Sequence, residues 1–392
     1  MSDDKFKNFT LALPPRIIFG EGSASRSGPE VAKFGKRVGL VTGKSAMRST
    51  GVLENILESF KQNGLSVIRY EGVEHDPGLE TVDKVNNLFR KEGVEVVVGL
   101  GGGSPLDVAK AAAILIKNEG SIRGYLEGKD FKREGVPFIG LPTTAGSGAE
   151  ITPNSVLTNR EKKLKRSVRH PYMVAKLAVI DPLLTLTMPK ELTAHTGMDA
   201  LTHAMEAFTS RYANPATDSL ARESISLIIL YLPRAYRDGQ DIEARKAVAM
   251  GSMLAAMSFA NAMLGACHAV AHPLGAKFGL THGLANGIML PYIMEFNLET
   301  RLEKFAEIGR MFLKEREKMP PEEEVLAERA VRGIRDLKKE LAVPEGLSFL
   351  KLKEEDLDEI VRDCQGVGSL KANPRETTPA DLKDILTRAR EV

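Results

Sequence analysis

The segment VVVGLGGGSPLD, residues 96–107, contains the pattern that decides the fold of this chain. Its β-branched run predicts a buried strand, and Ser104, Pro105 and Asp107 predict a helix start with Ser104 as N-cap and Asp107 as the reciprocal capping acid. Glycines let a phosphate approach the backbone, and the amides and dipole of a helix start attract it. A tight strand-to-helix turn without a ligand is the alternative. We interpret the turn as a pyrophosphate site formed by Gly101, Gly102, Gly103, Ser104 and Asp107.

The same segment differs from the dinucleotide-binding pattern G-x-G-x-x-G. Counted from Gly99, the third glycine position falls on Ser104, and the strand is not the first of its domain. The nucleotide interpretation therefore depends on the glycines and the helix start, and not on that pattern.

Short β-branched runs alternate with amphipathic stretches through the first half of the chain. Strands are predicted at residues 38–42, 66–70, 94–98, 138–141 and 177–180. Helices are predicted at residues 51–63, 79–92 and 105–117. This alternation predicts an α/β nucleotide-binding domain with a mostly parallel sheet over residues 1–185. Strand signals then stop, so residues 186–392 are predicted to form an all-α domain.

A second loop of small residues, PTTAGSGAE at residues 142–150, follows another predicted strand. Hydroxyls and exposed amides at the carboxyl end of a strand suit a ligand in the crevice where α/β sheets bind nucleotides. Thr143, Thr144 and Ser147 are therefore predicted to contact a cofactor. An ordinary polar loop is the alternative.

Histidines are concentrated in the helical half, where five of the seven fall. Asp199 and His203 are four residues apart, as are His268 and His272, so each pair shares one face of a helix. A turn at His282 would bring a third imidazole to the same point. Carboxylate with imidazole suits Fe(II) or Zn(II) better than Ca(II) or Mg(II). His268 and His272 have the H-x-x-x-H spacing of zincins, but the residue after His268 is not the glutamate that those enzymes use as a base. This excludes a metalloprotease.

Four segments of the chain resemble the iron-containing (group III) alcohol dehydrogenase family, and the similarity runs along nearly the whole sequence. They are GGGSPLD at residues 101–107, PTTAGSG at 142–148, TGMDALTHAME at 196–206 and GACHAVAHPLG at 265–275 with the later His282-Gly283. The resemblance implies a nucleotide domain and a helical domain like that of dehydroquinate synthase. It implies a metal held by Asp199, His203, His268 and His282.

The same resemblance assigns roles to residues outside the four metal ligands. His272 matches a position beside the nicotinamide and substrate, and Lys165, in a short predicted hairpin, matches one near the ribose of the cofactor. Leu184, just past the last predicted strand, is a further cofactor candidate with packing as the alternative. Glu206 lies on the helix of Asp199 and is expected to orient a neighbour instead of binding the metal.

The activity implied is that of a metal-dependent, NAD(P)-linked alcohol dehydrogenase or aldehyde reductase. An ion with an open position lowers the pKa of an alcohol, so that alkoxide exists near neutral pH and hydride leaves for the nicotinamide. His272 is the candidate for passing the alcohol proton toward solvent, with a hydrogen-bonded histidine that transfers no proton as the alternative. The expected substrates are small alcohols or aldehydes, and the resemblance implies a homodimer.

The end of the first predicted strand, LVTGKS at residues 40–45, bears on the choice between NAD(H) and NADP(H). A carboxylate there would bind the adenosine ribose of NAD and repel the 2′-phosphate of NADP. This chain reads Val-Thr-Gly at residues 41–43, where NAD-preferring relatives have a sequence that resembles Val-Thr-Asp. Lys44 and then Arg48 follow Gly43. The lost repulsion and the nearby cations favour NADP(H), with a solvated Lys44 as the alternative.

Composition excludes several other classes of protein. A length of 392 residues suits two domains, and a net charge of +2 gives no electrostatic case for binding nucleic acid. The two cysteines, the polar first residues and the short apolar runs predict a cytoplasmic protein that does not span a membrane.

Three alternative functions share part of the pattern. A dehydroquinate synthase-like lyase also uses a metal and a nicotinamide, but with a different metal set and basic phosphate-binding side chains. Maleylacetate reductase works without this metal, and the presence of all four ligands argues against it. A non-enzymatic metal-binding protein leaves the pyrophosphate loop unexplained.

Overall fold

The computed structural model describes residues 8–44, 51–162, 164–313 and 322–392. Contacts divide the chain into two compact units, one from Ala12 to Met188 and one that joins Pro189–Val392 to the N-terminal residues up to Leu11. The first unit combines strands and helices, and the second is helical where it is described. The predicted fold class is confirmed.

The first unit follows the predicted alternation of strands and helices. Its strands are β1 (Ile17–Phe19), β2 (Arg37–Gly43), β3 (Ser66–Val73), β4 (Val96–Gly101), β5 (Phe138–Pro142), β6 (Asn154–Asn159), β7 (Leu164–Arg169) and β8 (Leu177–Ile180). Its helices are α1 (Gly28–Val31), α2 (Val52–Gln62), α3 (Leu79–Lys91), α4 (Gly103–Leu115) and α5 (Ile122–Leu126). The antiparallel pair β6 and β7 is the hairpin that the sequence indicated.

The described strands of this unit form a six-stranded sheet in the order β1-β8-β5-β4-β2-β3, and each neighbouring pair is parallel. Strand β3 lies next to β2 toward one edge of the sheet, whereas β5 lies next to β4 toward the opposite edge. The strand order therefore reverses between β2 and β4. Open parallel sheets bind ligands at the carboxyl ends of the strands at such a point.

Alternate residues of the central strands pack into two cores, one on each face of the sheet. Val41 and Val97 belong to the core that contains residues of α3 and α4. Leu40 and Val98 belong to the core that contains residues of α1 and α2. All four side chains are fully buried. Burial on both faces explains why these strands are nearly continuous apolar runs in the sequence.

The second unit is built around one long buried helix. Its helices are α6 (Lys190–Thr209), α7 (Pro215–Arg237), α8 (Ile242–Ala262), α9 (Ala266–Phe278), α10 (His282–Asn297), α11 (Leu302–Met311), α12 (Glu323–Glu340), α13 (Glu354–Cys364) and α14 (Pro379–Arg390). Helix α6 packs against α7, α8 and α10, and every residue of 197–209 is buried. Among the described residues no single helix is long and apolar enough to cross a membrane, and α8 with α9 passes that test only as a pair bent by 106°.

Three ionisable side chains are buried around the start of the β6–β7 hairpin. The ammonium of Lys110 on α4 donates to the carbonyl oxygens of Thr152 at 2.8 Å and Asn154 at 2.6 Å, and it lies 3.9 Å from Asp107 Oδ1. Burial lowers the pKa of Lys110 to about 8 and raises the pKa of Asp107 to about 6 and that of Glu150 to about 7. Lys110 therefore ties the chain before β6 to α4.

The burial of Glu150 predicts that stability falls as the pH rises through neutrality. The carboxyl has a pKa of 4.5 in the unfolded chain and about 7 in the folded protein, so its contribution is present below pH 4.5 and lost as the pH passes 7. Replacing Glu150 with Gln should raise the free energy of unfolding more at pH 8 than at pH 5, by on the order of 1–3 kcal/mol. Urea denaturation at both pH values measures this difference. Glu54→Gln on α2 is the control, because Glu54 is exposed and its replacement should not change the pH dependence of stability. An equal gain in the free energy of unfolding for Glu150→Gln at both pH values would contradict the expectation.

Candidate metal and cofactor sites

Four side chains of the second unit converge on one point. Asp199 and His203 come from α6, His268 comes from α9, and His282 is the first residue of α10. One potential ligand atom from each lies within 4.8 Å of those of the others. Asp199 Oδ1 lies 3.9 Å from His268 Nε2 and 3.8 Å from His282 Nε2. The structure thus brings together the four residues that the sequence singled out as ligands.

The chain between α9 and α10 accounts for the position of His282. Helix α9 ends at Gly279, whose φ of 74° turns the chain, and α10 begins at His282 after Thr281 in an extended conformation. The sequence predicted a turn at His282, and the structure places the turn just before it, with His282 as the first residue of α10. Gly283 allows this start to approach α6, because an added Cβ would lie 2.2 Å from the carbonyl oxygen of His195.

Glu206 fixes the orientation of His268. Its Oε2 lies 2.6 Å from His268 Nδ1, and its Oε1 accepts a hydrogen bond from the amide of Cys267 at 2.6 Å. A carboxylate only accepts hydrogen bonds, so the proton of the neutral imidazole is on Nδ1 and the lone pair of Nε2 faces Asp199. Glu206 therefore orients a neighbouring ligand candidate, as the sequence predicted.

Aromatic rings enclose one side of the cluster. The ring of His203 is stacked between Phe259, with centroids 4.3 Å apart, and His268, with centroids 4.5 Å apart. His272 lies one turn beyond His268 on α9, half-buried, and its ring centroid is 5.4 Å from that of His282. His272 therefore lies beside the group of four and does not belong to it.

Asn286 is part of the site although the sequence analysis did not select it. Its Nδ2 lies 2.8 Å from Asp199 Oδ1, 3.0 Å from His268 Nε2 and 3.3 Å from His282 Nε2. The signal that would have identified it is the spacing from His282, because residues four apart share a face of a helix. An amide is an uncommon ligand for Fe(II) or Zn(II), which is why a search for ligands passes over it.

The glycine turn of the first unit differs from its prediction in one respect. Gly101 has a φ of 149°, and α4 begins at Gly103, two residues earlier than expected. The predicted capping box is therefore wrong, because Ser104 and Asp107 already lie inside the helix. Asp107 Oδ2 accepts instead from the amide of Val156 at 3.0 Å. No described side chain caps this helix start, which leaves its first amides for an anion.

The two loops predicted to bind a cofactor lie against each other at the ends of β4 and β5. The amide of Thr143 donates to the carbonyl oxygen of Gly101 at 2.9 Å. A Cβ added at Gly103 would lie 2.9 Å from Ser147 Oγ, so only glycine fits there without a shift. The structure thereby brings together six predicted cofactor residues, Gly101, Gly102, Gly103, Thr143, Thr144 and Ser147.

Gly43 ends β2 next to β4, at the point where the strand order reverses. Among the described residues, the atoms nearest to an added Cβ would be Pro105 Cγ at 3.8 Å and the carbonyl oxygen of Val73 at 3.9 Å, so these neighbours leave room for a side chain at position 43. Lys44 follows and is exposed. Arg48, the second predicted cation, lies outside the described residues.

The last two cofactor candidates have packing or ionic partners. The side chain of Lys165 on β7 is 10% exposed, and its ammonium lies 2.5 Å from Asp76 Oδ1. Burial acts to raise the pKa of Asp76, but the hydrogen bond from His75 and the charge of Lys165 outweigh it and lower that pKa. Leu184 is buried in the core on the side of α1 and α2. Their contact with a cofactor stays a prediction.

The two units provide the two parts that a metal-dependent dehydrogenase needs. The first unit presents the amides of a helix start and several hydroxyls at the end of a parallel sheet, which suits the pyrophosphate of a dinucleotide. The second unit presents one carboxylate and three imidazoles, which suits Fe(II) or Zn(II). These features define the class as metal-dependent oxidoreductases that use a dinucleotide.

Comparison with known families specifies that class further. The family model for iron-containing alcohol dehydrogenase matches residues 14–182. The model for the C-terminal part of the Fe-containing alcohol dehydrogenase family matches residues 193–390. The chain belongs to the iron-containing alcohol dehydrogenase family.

Individual relatives match along nearly the whole chain. The NAD-dependent methanol dehydrogenase of Bacillus methanolicus is 32% identical over 377 residues, 96% of this chain and 98% of that protein. The NADPH-dependent butanol dehydrogenase of Clostridium saccharobutylicum is 35% identical over 383 residues, 96% of each. The crystal structure of a 1,3-propanediol oxidoreductase gives a TM-score of 0.93 at 34% identity, covering 98% of this chain and all of that one. The predicted fold and the predicted enzyme class, an alcohol dehydrogenase, are confirmed.

Proposed function

We propose that this alcohol dehydrogenase transfers hydride between small primary alcohols or their aldehydes and NADP(H), with a divalent metal held by Asp199, His203, His268 and His282. The observation that carries the proposal is the convergence of these four side chains within 4.8 Å. Oxidation of a panel of alcohols with NADP⁺ and Fe(II), followed by nicotinamide absorbance, tests it. Absence of turnover with every alcohol, and with the aldehydes in reverse, would contradict it.

The donor set fits a divalent transition metal. Three neutral imidazoles and one carboxylate cancel only one of its two charges, so the ion stays electrophilic. When bound, such an ion supplies Lewis acidity that lowers the pKa of an alcohol hydroxyl and polarises an aldehyde carbonyl. Fe(II) and Zn(II) both suit these ligands, and the name of the family favours Fe(II).

The neighbouring residues have distinct tasks in this proposal. Glu206 keeps the proton of His268 on Nδ1, which reserves Nε2 for the metal. His272 accepts the proton of the alcohol and passes it toward solvent, because imidazole titrates near neutral pH and this residue is half-buried beside His282. In this proposal the four ligands bind the metal, and His272, which lies outside that group, handles the proton.

NADP(H) is the proposed cofactor. The glycine turn and α4 offer amides to its pyrophosphate, and Gly43 presents no carboxylate where the adenosine ribose of such a cofactor binds. Lys44 adds a positive charge beside it. The relatives include both an NAD-dependent and an NADPH-dependent enzyme, so membership of the family does not choose between them. The homodimer and the cytoplasmic location stay predictions of the sequence.

Replacing His268 with Ala should remove most of the bound metal and the activity and leave the fold intact, because α9 does not need the imidazole to form. Metal analysis, activity and circular dichroism measure the three effects. His170→Ala is the control. His170 lies in the other unit, where it accepts a hydrogen bond from the amide of Tyr172, so this variant should keep its metal. Full metal occupancy and normal turnover in His268→Ala would show that the ligand assignment is wrong.

Replacing Gly43 with Asp should weaken NADP(H) and improve NAD(H), because a carboxylate repels the 2′-phosphate and accepts from the ribose hydroxyl. The described neighbours of position 43 leave room for the side chain. The charge contact is worth on the order of 1–3 kcal/mol, or roughly tenfold to a hundredfold in the ratio of kcat/KM for the two cofactors. Steady-state kinetics with both cofactors measures the ratio. A wild-type enzyme that already prefers NAD(H) would refute the argument.

Replacing His272 with Ala should keep the metal and lower kcat by about 10²-fold, with a flatter pH dependence of turnover near neutrality. The reason is that Asp199, His203, His268 and His282 already supply four ligands, and a fifth would occupy the position that the alcohol needs. Metal analysis and pH profiles of kcat separate the roles. Loss of metal would make His272 a ligand, and an unchanged pH profile with normal turnover would leave it only a packing role.

A further inference from the structure

We propose that Asn286 is a positioning residue of the metal centre, whose carboxamide holds the carboxylate of Asp199 in place. The inference rests on the proposed function, because it gives Asn286 a task toward the same four ligands. Asn286 lies on α10, one turn after His282, and is fully buried. Its Nδ2 donates to Asp199 Oδ1 at 2.8 Å.

The direction of the amide follows from the charge of its partner. With the amide reversed, its oxygen would face a carboxylate oxygen at 2.8 Å, which places two acceptors together without a hydrogen between them. The nitrogen therefore faces Asp199. A hydrogen bond to an ionised acceptor is also stronger than one to a neutral group, so this contact fixes the orientation of the side chain.

The same nitrogen lies close to two imidazoles, but only the contact with Asp199 is compatible with metal binding. Nδ2 is 3.0 Å from His268 Nε2 and 3.3 Å from His282 Nε2. An imidazole nitrogen has at most one lone pair, and a nitrogen that gives it to a metal no longer accepts from Asn286. A carboxylate oxygen has a second lone pair, so Asp199 can bind a metal and accept from the amide together.

Asn286 is itself held by the helix that carries His268. The thiol of Cys267 on α9 donates to the carbonyl oxygen of Asn286 at 3.4 Å, and α10 packs against both α6 and α9. In this arrangement two different side chains contact two of the proposed ligands. Glu206 aligns the imidazole of His268, and Asn286 aligns the carboxylate of Asp199.

The test compares the Zn(II) affinity of the wild-type chain with that of two variants. Asn286→Leu keeps the branched shape of the side chain and removes the donor, and Asn286→Ala removes both. Competition with a chromogenic chelator should show a Zn(II) dissociation constant raised about 10- to 100-fold in each. The visible spectrum of bound Co(II) should also change, because the carboxylate is no longer held in one orientation.

Ser258→Ala is the matched control. Ser258 on α8 is fully buried in the same unit, and its Oγ donates to the carbonyl oxygen of Thr217 at 2.9 Å. Losing this hydrogen bond should lower the melting temperature and leave both the Zn(II) dissociation constant and the Co(II) spectrum unchanged. The control distinguishes the general effect of losing a buried hydrogen bond from the specific effect of losing the hydrogen bond to the proposed metal ligand Asp199.

Several outcomes decide between the proposals. Folded Asn286 variants with wild-type Zn(II) affinity and Co(II) spectrum would overturn the role of Asn286 and leave the proposed function standing. Failure of both variants to fold would assign Asn286 to the core and overturn its role equally. A wild-type chain that binds Zn(II) no better than His268→Ala would instead refute the metal site of the proposed function.

Discussion

The helical unit has to hold one carboxylate and three imidazoles face to face in a buried place. Asp199 Oδ1 lies 3.9 Å from His268 Nε2 and 3.8 Å from His282 Nε2, which is too far for hydrogen bonds, so contacts between these atoms do not hold the group together. Asp199 and His203 are fixed by α6, which is buried along residues 197–209. Glu206 fixes His268, and the helix start at Gly283 brings His282 close to α6. The packing of the unit therefore imposes the convergence that a metal requires.

In the first unit, Ala12–Met188, the candidate cofactor site depends on the conformation of the backbone more than on side chains. The strand order reverses between β2 and β4, and Gly101 turns the chain so that α4 starts at once. Because no described side chain caps α4, the positive end of its dipole has no internal partner. Several of the candidate cofactor residues here are small because the backbone is closely packed, as at Gly103, where an added Cβ would lie 2.9 Å from Ser147 Oγ.

Sequence patterns predicted most strands of the sheet, since buried parallel strands are continuous apolar runs. They missed β1, whose three half-buried residues pair with β8 through contacts far apart in the chain. The capping box predicted at Ser104 was wrong. Serine favours the N-cap position, but the chain turns at Gly101 and the helix already begins at Gly103. Ligand candidates were found from their chemistry and spacing, but their meeting point depends on how α6, α9 and α10 pack. The spacing from His282 places Asn286 on the same helix face, but its contact with Asp199 is seen only in the packed structure.

All four proposed ligands and both residues that orient them belong to the helical unit, whereas the glycine turn and the second loop belong to the other. The two kinds of binding therefore involve separate parts of the chain. A dinucleotide has to leave in every catalytic cycle, while a metal has to stay for many cycles. No described residue belongs to both candidate sites, so substitutions in the glycine turn can change cofactor exchange and leave every proposed metal ligand in place.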